Sequence, residues 1–321
     1  MIVKDNVPIE DLVKNIFRDT YFYYEYEDDE LYHDAILRER LRNAVKILRS
    51  SYKPTDRNSN CDSFYSDKDI CDAYMLAYYP YYIEPARYVV ENFVAPNFDY
   101  AFYELELNFF ACGPCPELYG TLLALRDKNF HGKVCVNTYD AEWLWIAYQD
   151  YITYFLCKEI LPIEHWTFYP NFFVGDSLSF PKYIVDFNGH YTQRRIFFLQ
   201  NYLSHMPDTP KAVEKFLSWF QKLLHYGDRR DCFVFIDLNY NSTATVFRRL
   251  VDEEFLAKND LYKVAAHIPD DGEPLTIRHG DTIKALRDNI FTDTFESGSG
   301  LIQKKRTNFY FVVLKKFSGV I

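Results

Sequence analysis

From Pro96 onward the chain alternates short apolar runs with segments of helical periodicity, and this alternation restricts it to a few architectures. Runs rich in aromatic and β-branched residues read as strands at 100–111, 133–139, 166–174, 195–199, 232–238 and 308–315. Apolar positions three and four apart predict helices at 117–128, 141–160, 209–225, 242–257 and 281–289. Strands that alternate with helices build βαβ units around a mostly parallel sheet covered on both faces, a doubly wound α/β fold. Residues 181–194 read as an irregular polar insertion, and there is no internal repeat.

Residues 1–95 have a different texture and read as a mostly helical N-terminal region ahead of a domain spanning 96–321. Helical spacing occurs at 8–17 and 31–48, and resumes from Asp69 through 74–79 and again over 81–90 after Pro80. The polar stretch 51–66 reads as a loop, and the acidic run at 25–30 as a solvated helix start. Aromatic residues make up 19% of the chain, with 28 Tyr and 28 Phe, enough to fill a core and also line a pocket. The tyrosines of the N-terminal region therefore have two readings, as packing residues or as a substrate lid.

A net charge of −10 argues against extensive non-specific nucleic-acid binding, which depends on clustered Lys and Arg. Seven cysteines, an odd number, do not form a secreted disulfide framework. Residues 1–6 lack a signal-peptide pattern, and no apolar run has the length of a membrane span. A soluble cytoplasmic protein with no membrane partner is the expectation, and the oligomeric state is left open.

In an open α/β sheet the first strand-to-helix turn is the place to look for a ligand. Here Asn108-Phe109-Phe110 runs into Ala111-Cys112-Gly113-Pro114-Cys115-Pro116-Glu117, where small residues let the backbone bend tightly. This loop resembles the glycine-rich loop of class I S-adenosylmethionine-dependent methyltransferases, with Phe109 at the usual acid and Cys115 at a usual glycine. The resemblance implies a seven-stranded sheet and S-adenosyl-L-methionine as cofactor, cradled by Ala111, Cys112, Gly113, Cys115 and Glu117. It implies Asp140, with Glu142 as a substitute, at the ribose, and Asp176 at the adenine amino group. It brings Asn201, Tyr202 and His205 from the end of the fourth strand toward the methyl group, as candidate catalytic residues. Tyr24, Tyr78, Tyr79, Tyr82 and Arg87 are candidate lining residues for the methyl acceptor, itself unidentified. The Asn/Asp-Pro-Pro-aromatic signature of base amino methylation is missing, so a small molecule or protein side chain is preferred to RNA as acceptor.

Two alternatives stay open. Cys112-Gly113-Pro114-Cys115 is also the CxxC tetrapeptide of thioredoxin-like thiol-disulfide oxidoreductases, in which a helix N-terminus depresses the first thiol's pKa. A redox unit of that kind is about one hundred residues and leaves the later strands unused. The other alternative is a non-catalytic nucleotide-binding protein. A dinucleotide site prefers glycine at 115 and 118, where Cys115 and Leu118 stand. No metal is expected, because Cys61, Cys71, Cys135, Cys157 and Cys232 show no paired ligand spacing.

Overall fold

Near-continuous apolar burial on both sides is what a central strand of a covered sheet requires, and all six residues of Cys232–Asp237 are buried. The computed structural model describes residues 30–51, 65–97, 104–130, 132–159, 168–174, 193–227, 230–279, 304 and 306–317. Its strands are β1 Glu104–Phe110, β2 Lys133–Asp140, β3 Phe168–Val174, β4 Gln193–Gln200, β5 Cys232–Asp237, β6 Leu261–His267, β7 Leu275–Arg278 and β8 Arg306–Lys316. The spatial order is β3-β2-β1-β4-β5-β8-β6, with the short β7 beside β8. Pairs β1–β2, β1–β4, β2–β3 and β4–β5 are parallel, whereas β8 runs antiparallel between β5 and β6. This is a doubly wound, mostly parallel sheet, with seven strands on one continuous path and β7 as an eighth beside β8.

The helices are α1 Glu30–Ser51, α2 Lys68–Ala77, α3 Tyr79–Val89, α4 Pro116–Asp127, α5 Trp145–Glu159, α6 Pro210–His225, α7 Asn241–Leu250 and α8 Glu253–Lys258. Successive strand residues separate cleanly onto two faces, as the period of two demands. Leu105, Leu107, Phe109, Phe198, Val234 and Phe311 pack with residues of α3, α4 and α5. Phe110, Phe197, Phe233, Phe235 and Val312 pack with residues of α6 and α7 on the opposite face.

α3 is fastened to the sheet through two of its carbonyls, one of them freed by Pro85. Pro85 has no N–H to bond the Tyr81 carbonyl one turn back. That carbonyl accepts from Thr307 Oγ1 of β8 at 3.1 Å instead, and the next one, of Tyr82, accepts from Gln200 Nε2 of β4 at 2.7 Å.

Several boundaries differ from the sequence expectation. The predicted helix 242–257 is two helices, because Asp252 adopts extended backbone and its carboxylate caps Phe255 N–H at 2.9 Å. The helix predicted from 141 starts at Trp145, since the Asp140 and Glu142 carboxylates bond Glu142 N–H and Leu144 N–H in a turn. β6 and β7 were not anticipated. Tyr262 and Lys263 are exposed on β6, so the edge strand lacks the apolar run that identifies its neighbours. The helices predicted at 8–17 and 281–289 lie outside the described residues, as do Tyr24, Asp176 and most of 181–194. No helix among the described residues is long and apolar enough to cross a membrane.

Candidate cofactor site

Strand order reverses between β1 and β4, and in such sheets the crevice at the carboxyl ends of those strands holds the ligand. The turn leaving β1 lies there. Ala111, Gly113 and Cys115 all adopt left-handed backbone, with φ of 49°, 54° and 58°. Pro114 between the last two is confined to negative φ. A backbone alternating in this way bends tightly and leaves room for a ligand to come close to it.

The loop is tied down on several sides. Ala111 N–H donates to the Tyr139 carbonyl at 2.7 Å, and Cys115 N–H to the Cys112 carbonyl at 2.8 Å. Gly113 N–H donates to Asp140 Oδ2 at 2.7 Å, and Glu142 N–H donates to Asp140 Oδ1 at 3.0 Å. Gln149 on α5 donates to the Gly113 carbonyl and accepts from Thr138 Oγ1 at 2.8 Å, so α5 holds both the loop and β2. Burial raises the Asp140 carboxyl, and the N–H groups of Glu142 and Gly113 oppose that. A carboxylate has about four lone-pair positions, so Asp140 keeps acceptor capacity beyond these bonds.

Left-handed backbone costs an L-residue about 1–2 kcal/mol, and glycine avoids it. Ala111→Gly should therefore raise stability by about 0.5–1 kcal/mol once glycine's extra unfolded-state entropy is deducted. A melting midpoint at or below wild type would contradict the strain assigned to that residue.

The N-terminal helices roof this loop with rings. The Trp145 indole lies 3.6 Å from the position of a Cβ on Gly113. It packs against Tyr65, Tyr74 and Tyr148 at centroid distances of 5.5, 5.7 and 5.4 Å. The row continues through Tyr78, which stacks on Tyr82 at 6.0 Å. Lys304 Nζ sits 4.5 Å from the Tyr82 ring centroid, and burial depresses its amine to about 8. Tyr78 and Tyr82 thus stand together near the carboxyl end of β4. Tyr79 is fully buried among core residues. Arg87 is elsewhere: it pairs with Asp127 at 2.7 Å, at the end of α4 remote from the loop, and with Glu84 at 3.5 Å.

At the end of β4, Asn201 is left-handed, with φ 57°, and its N–H donates to the Ile236 carbonyl at 3.0 Å. Tyr202 is half-buried with its ring near Phe216, whereas His205 is exposed. Asp237, at the end of β5, is a residue that sequence reasoning missed. Its carboxylate accepts from the N–H groups of Leu203 at 2.6 Å, Ser204 at 3.2 Å and Leu238 at 2.7 Å, which fixes the turn carrying Tyr202 and His205.

Burial pushes the Asp237 carboxyl up to about 6, against an ordinary value of 3.8. A carboxyl raised in the folded state contributes stability below its unfolded pKa and loses it as pH rises through the folded value. Wild-type stability relative to Asp237→Asn should therefore fall as pH rises from about 4 to 6. Urea midpoints of the two proteins measured across that window check this, and parallel profiles would contradict it.

Cys112 and Cys115 are both buried and unpaired by disulfide. Burial raises the Cys112 thiol to about 11 and the Cys115 thiol well above its ordinary range. A nucleophilic CxxC needs a depressed first thiol, so these two do not have the character of a redox pair.

No protein-family model matches the chain, and no curated protein matches it. Solved structures do resemble it. One is described as a class I S-adenosylmethionine-dependent methyltransferase of Listeria monocytogenes, 11% identical, covering 98% of this chain and 88% of that one, with a TM-score of 0.43. The plantazolicin methyltransferase BpumL, in complex with a pentazolic desmethylPZN analog and S-adenosylhomocysteine, is 12% identical, covers 89% of this chain and 99% of its own, and has a TM-score of 0.40. An rRNA methylase of Streptococcus thermophilus is 8% identical, covers 68% and 93%, and scores 0.34. Scores of this size decide nothing about substrate. The chain's own strand order, with β8 antiparallel between β5 and β6, makes the sheet doubly wound and mostly parallel.

Proposed function

We propose that this protein binds S-adenosyl-L-methionine and transfers its methyl group to a small molecule or protein side chain. The observation that carries the reading is the trio of left-handed residues 111, 113 and 115 at the end of β1, fastened by Gly113 N–H to Asp140. The tight turn lets a ligand approach the backbone closely, and the spare acceptor capacity of Asp140 suits ribose hydroxyls. Glu117 opens α4 behind the loop, and Asp176 is assigned the adenine amino group.

The bound cofactor supplies an electrophilic sulfonium methyl, so the chain's work is positioning and exclusion of water. The roof of Trp145, Tyr74, Tyr78 and Tyr82 excludes water from the loop. Asn201, Tyr202 and His205 are the candidates for orienting the acceptor or removing its proton, with Asp237 setting their turn. In this reading residues 1–95 act as a substrate lid over a catalytic domain of 96–321, in a reducing compartment such as the cytoplasm.

Asp140→Ala should weaken S-adenosylhomocysteine binding by about 1.5–3 kcal/mol, the range for hydrogen bonds to a charged group. That corresponds to roughly 10- to 150-fold in the dissociation constant read by calorimetry. An unchanged constant would remove Asp140 from the ribose site.

A further inference from the structure

We propose that Cys112, Cys115 and Glu117 form a buried site for one divalent cation of zinc type, which clips the turn between β1 and α4. The two Sγ atoms and a Glu117 carboxylate oxygen all lie within 4.8 Å of one another. The three residues are 5%, 1% and 1% exposed, so these groups face protein rather than water.

Glu117 Oε1 has no hydrogen-bond partner, and neither does the hydroxyl of Tyr79, which lies within electrostatic reach of Cys115 and Glu117. A buried carboxylate oxygen left unpaired costs on the order of 1–3 kcal/mol or more, and a cation bond removes that cost. The charged groups acting on the trio are Glu117 itself and Asp140, both acidic. Among the described residues no basic side chain acts on the trio.

Two thiolates and one carboxylate select a borderline-soft cation that prefers four ligands. With Zn–S bonds of about 2.3 Å, tetrahedral sulfurs lie about 3.8 Å apart, within a side-chain rotation of the present spacing. The fourth position falls to the Tyr79 hydroxyl or to water. Binding breaks two S–H bonds, releases those two protons to solvent and forms two metal–sulfur bonds and one bond to the Glu117 carboxylate oxygen. No electrons are transferred. The site is built from side chains of the turn, so it does not depend on the methyl-transfer reading.

The test uses the full chain purified without chelator from zinc-supplemented cells, with metal content measured by mass spectrometry. The expected result is about one zinc per chain. Exchange with cobalt should then give thiolate-to-cobalt charge-transfer bands and intense tetrahedral bands. Cys115→Ser should abolish the charge-transfer bands or shift them, Glu117→Gln should weaken cobalt binding at least tenfold, and Cys135→Ser, on β2, should leave both unchanged. If the serine variant does not fold, the wild-type cobalt spectrum decides, because charge-transfer bands require thiolate ligation. Wild-type protein with only trace metal and no such bands overturns the proposal. So does a Cys112–Cys115 disulfide in the protein as isolated, or bands that persist in the Cys112→Ser, Cys115→Ser double variant.

Discussion

Asp231→Ala should lower stability by about 3–5 kcal/mol, the range for removing one partner of a buried ion pair. Asp231 and Arg195 form a two-pronged ion pair, with Nε–Oδ1 at 3.0 Å and Nη2–Oδ2 at 2.7 Å, and their side chains are only 2% and 4% exposed. Arg195 Nη2 also donates to the Tyr226 carbonyl at 3.0 Å, which ties β4 to the end of α6. Removing the carboxylate leaves a guanidinium that cannot shed its proton in a nearly dry place. Glu106, opposite Arg195 in the β1–β4 register, is within electrostatic reach of the guanidinium but is engaged elsewhere. Its oxygen already accepts from Asn108 at 2.9 Å and Asn137 at 3.1 Å, and burial raises its carboxyl. Replacing both partners by apolar residues, Arg195→Met with Asp231→Leu, should cost far less than Asp231→Ala alone. Urea unfolding of the three proteins checks this. A single-variant loss under about 1 kcal/mol would mean that the pair behaves as an exposed one.

Gly120→Ala should also destabilise, by about 3 kcal/mol, the upper end of the usual overpacking cost. Helix propensity alone predicts the opposite sign, since alanine is favoured over glycine inside a helix by about 1 kcal/mol. Geometry reverses it. A Cβ at Gly120 would lie 2.2 Å from the Ile83 carbonyl oxygen and 2.8 Å from Arg87 N, both backbone atoms of α3. Neither atom can rotate away, so α3 would have to lift off α4. Because α3 also carries Tyr82, whose carbonyl takes the Gln200 bond, ligand affinity should fall along with the melting midpoint. A variant as stable as wild type would show that the two helices are farther apart than described.

The sheet was legible in sequence where burial is two-sided. Cys232–Asp237 stands out as an apolar run, and Glu104–Phe110 by Leu105, Leu107 and Phe109 alternating with buried Glu106 and Asn108. β6 was not legible, because as an edge strand it carries exposed Tyr262 and Lys263 and has no such run. The loop was legible because Gly113 and its small neighbours announce a tight turn, although sequence alone left its thiols ambiguous. Their burial, which spacing cannot reveal, separates a packed pair from a reactive one. Asp237 and Gln149 escaped notice for a related reason: each acts by bonding backbone or side chains far along the chain, and no local pattern marks that. Arg87 looked like a lining residue because it shares a helix with Tyr82. Its partner Asp127 is 40 positions away, and that pairing places it at the other end of α4.

The central claim is that the turn at 111–115 cradles the methyl donor, and titration calorimetry of the wild-type chain tests it most directly. S-adenosylmethionine and S-adenosylhomocysteine should each bind at one site with micromolar dissociation constants, near −8 kcal/mol, while NAD gives no saturable heat. Absence of binding by both sulfur nucleosides, or tighter binding of NAD, would contradict it.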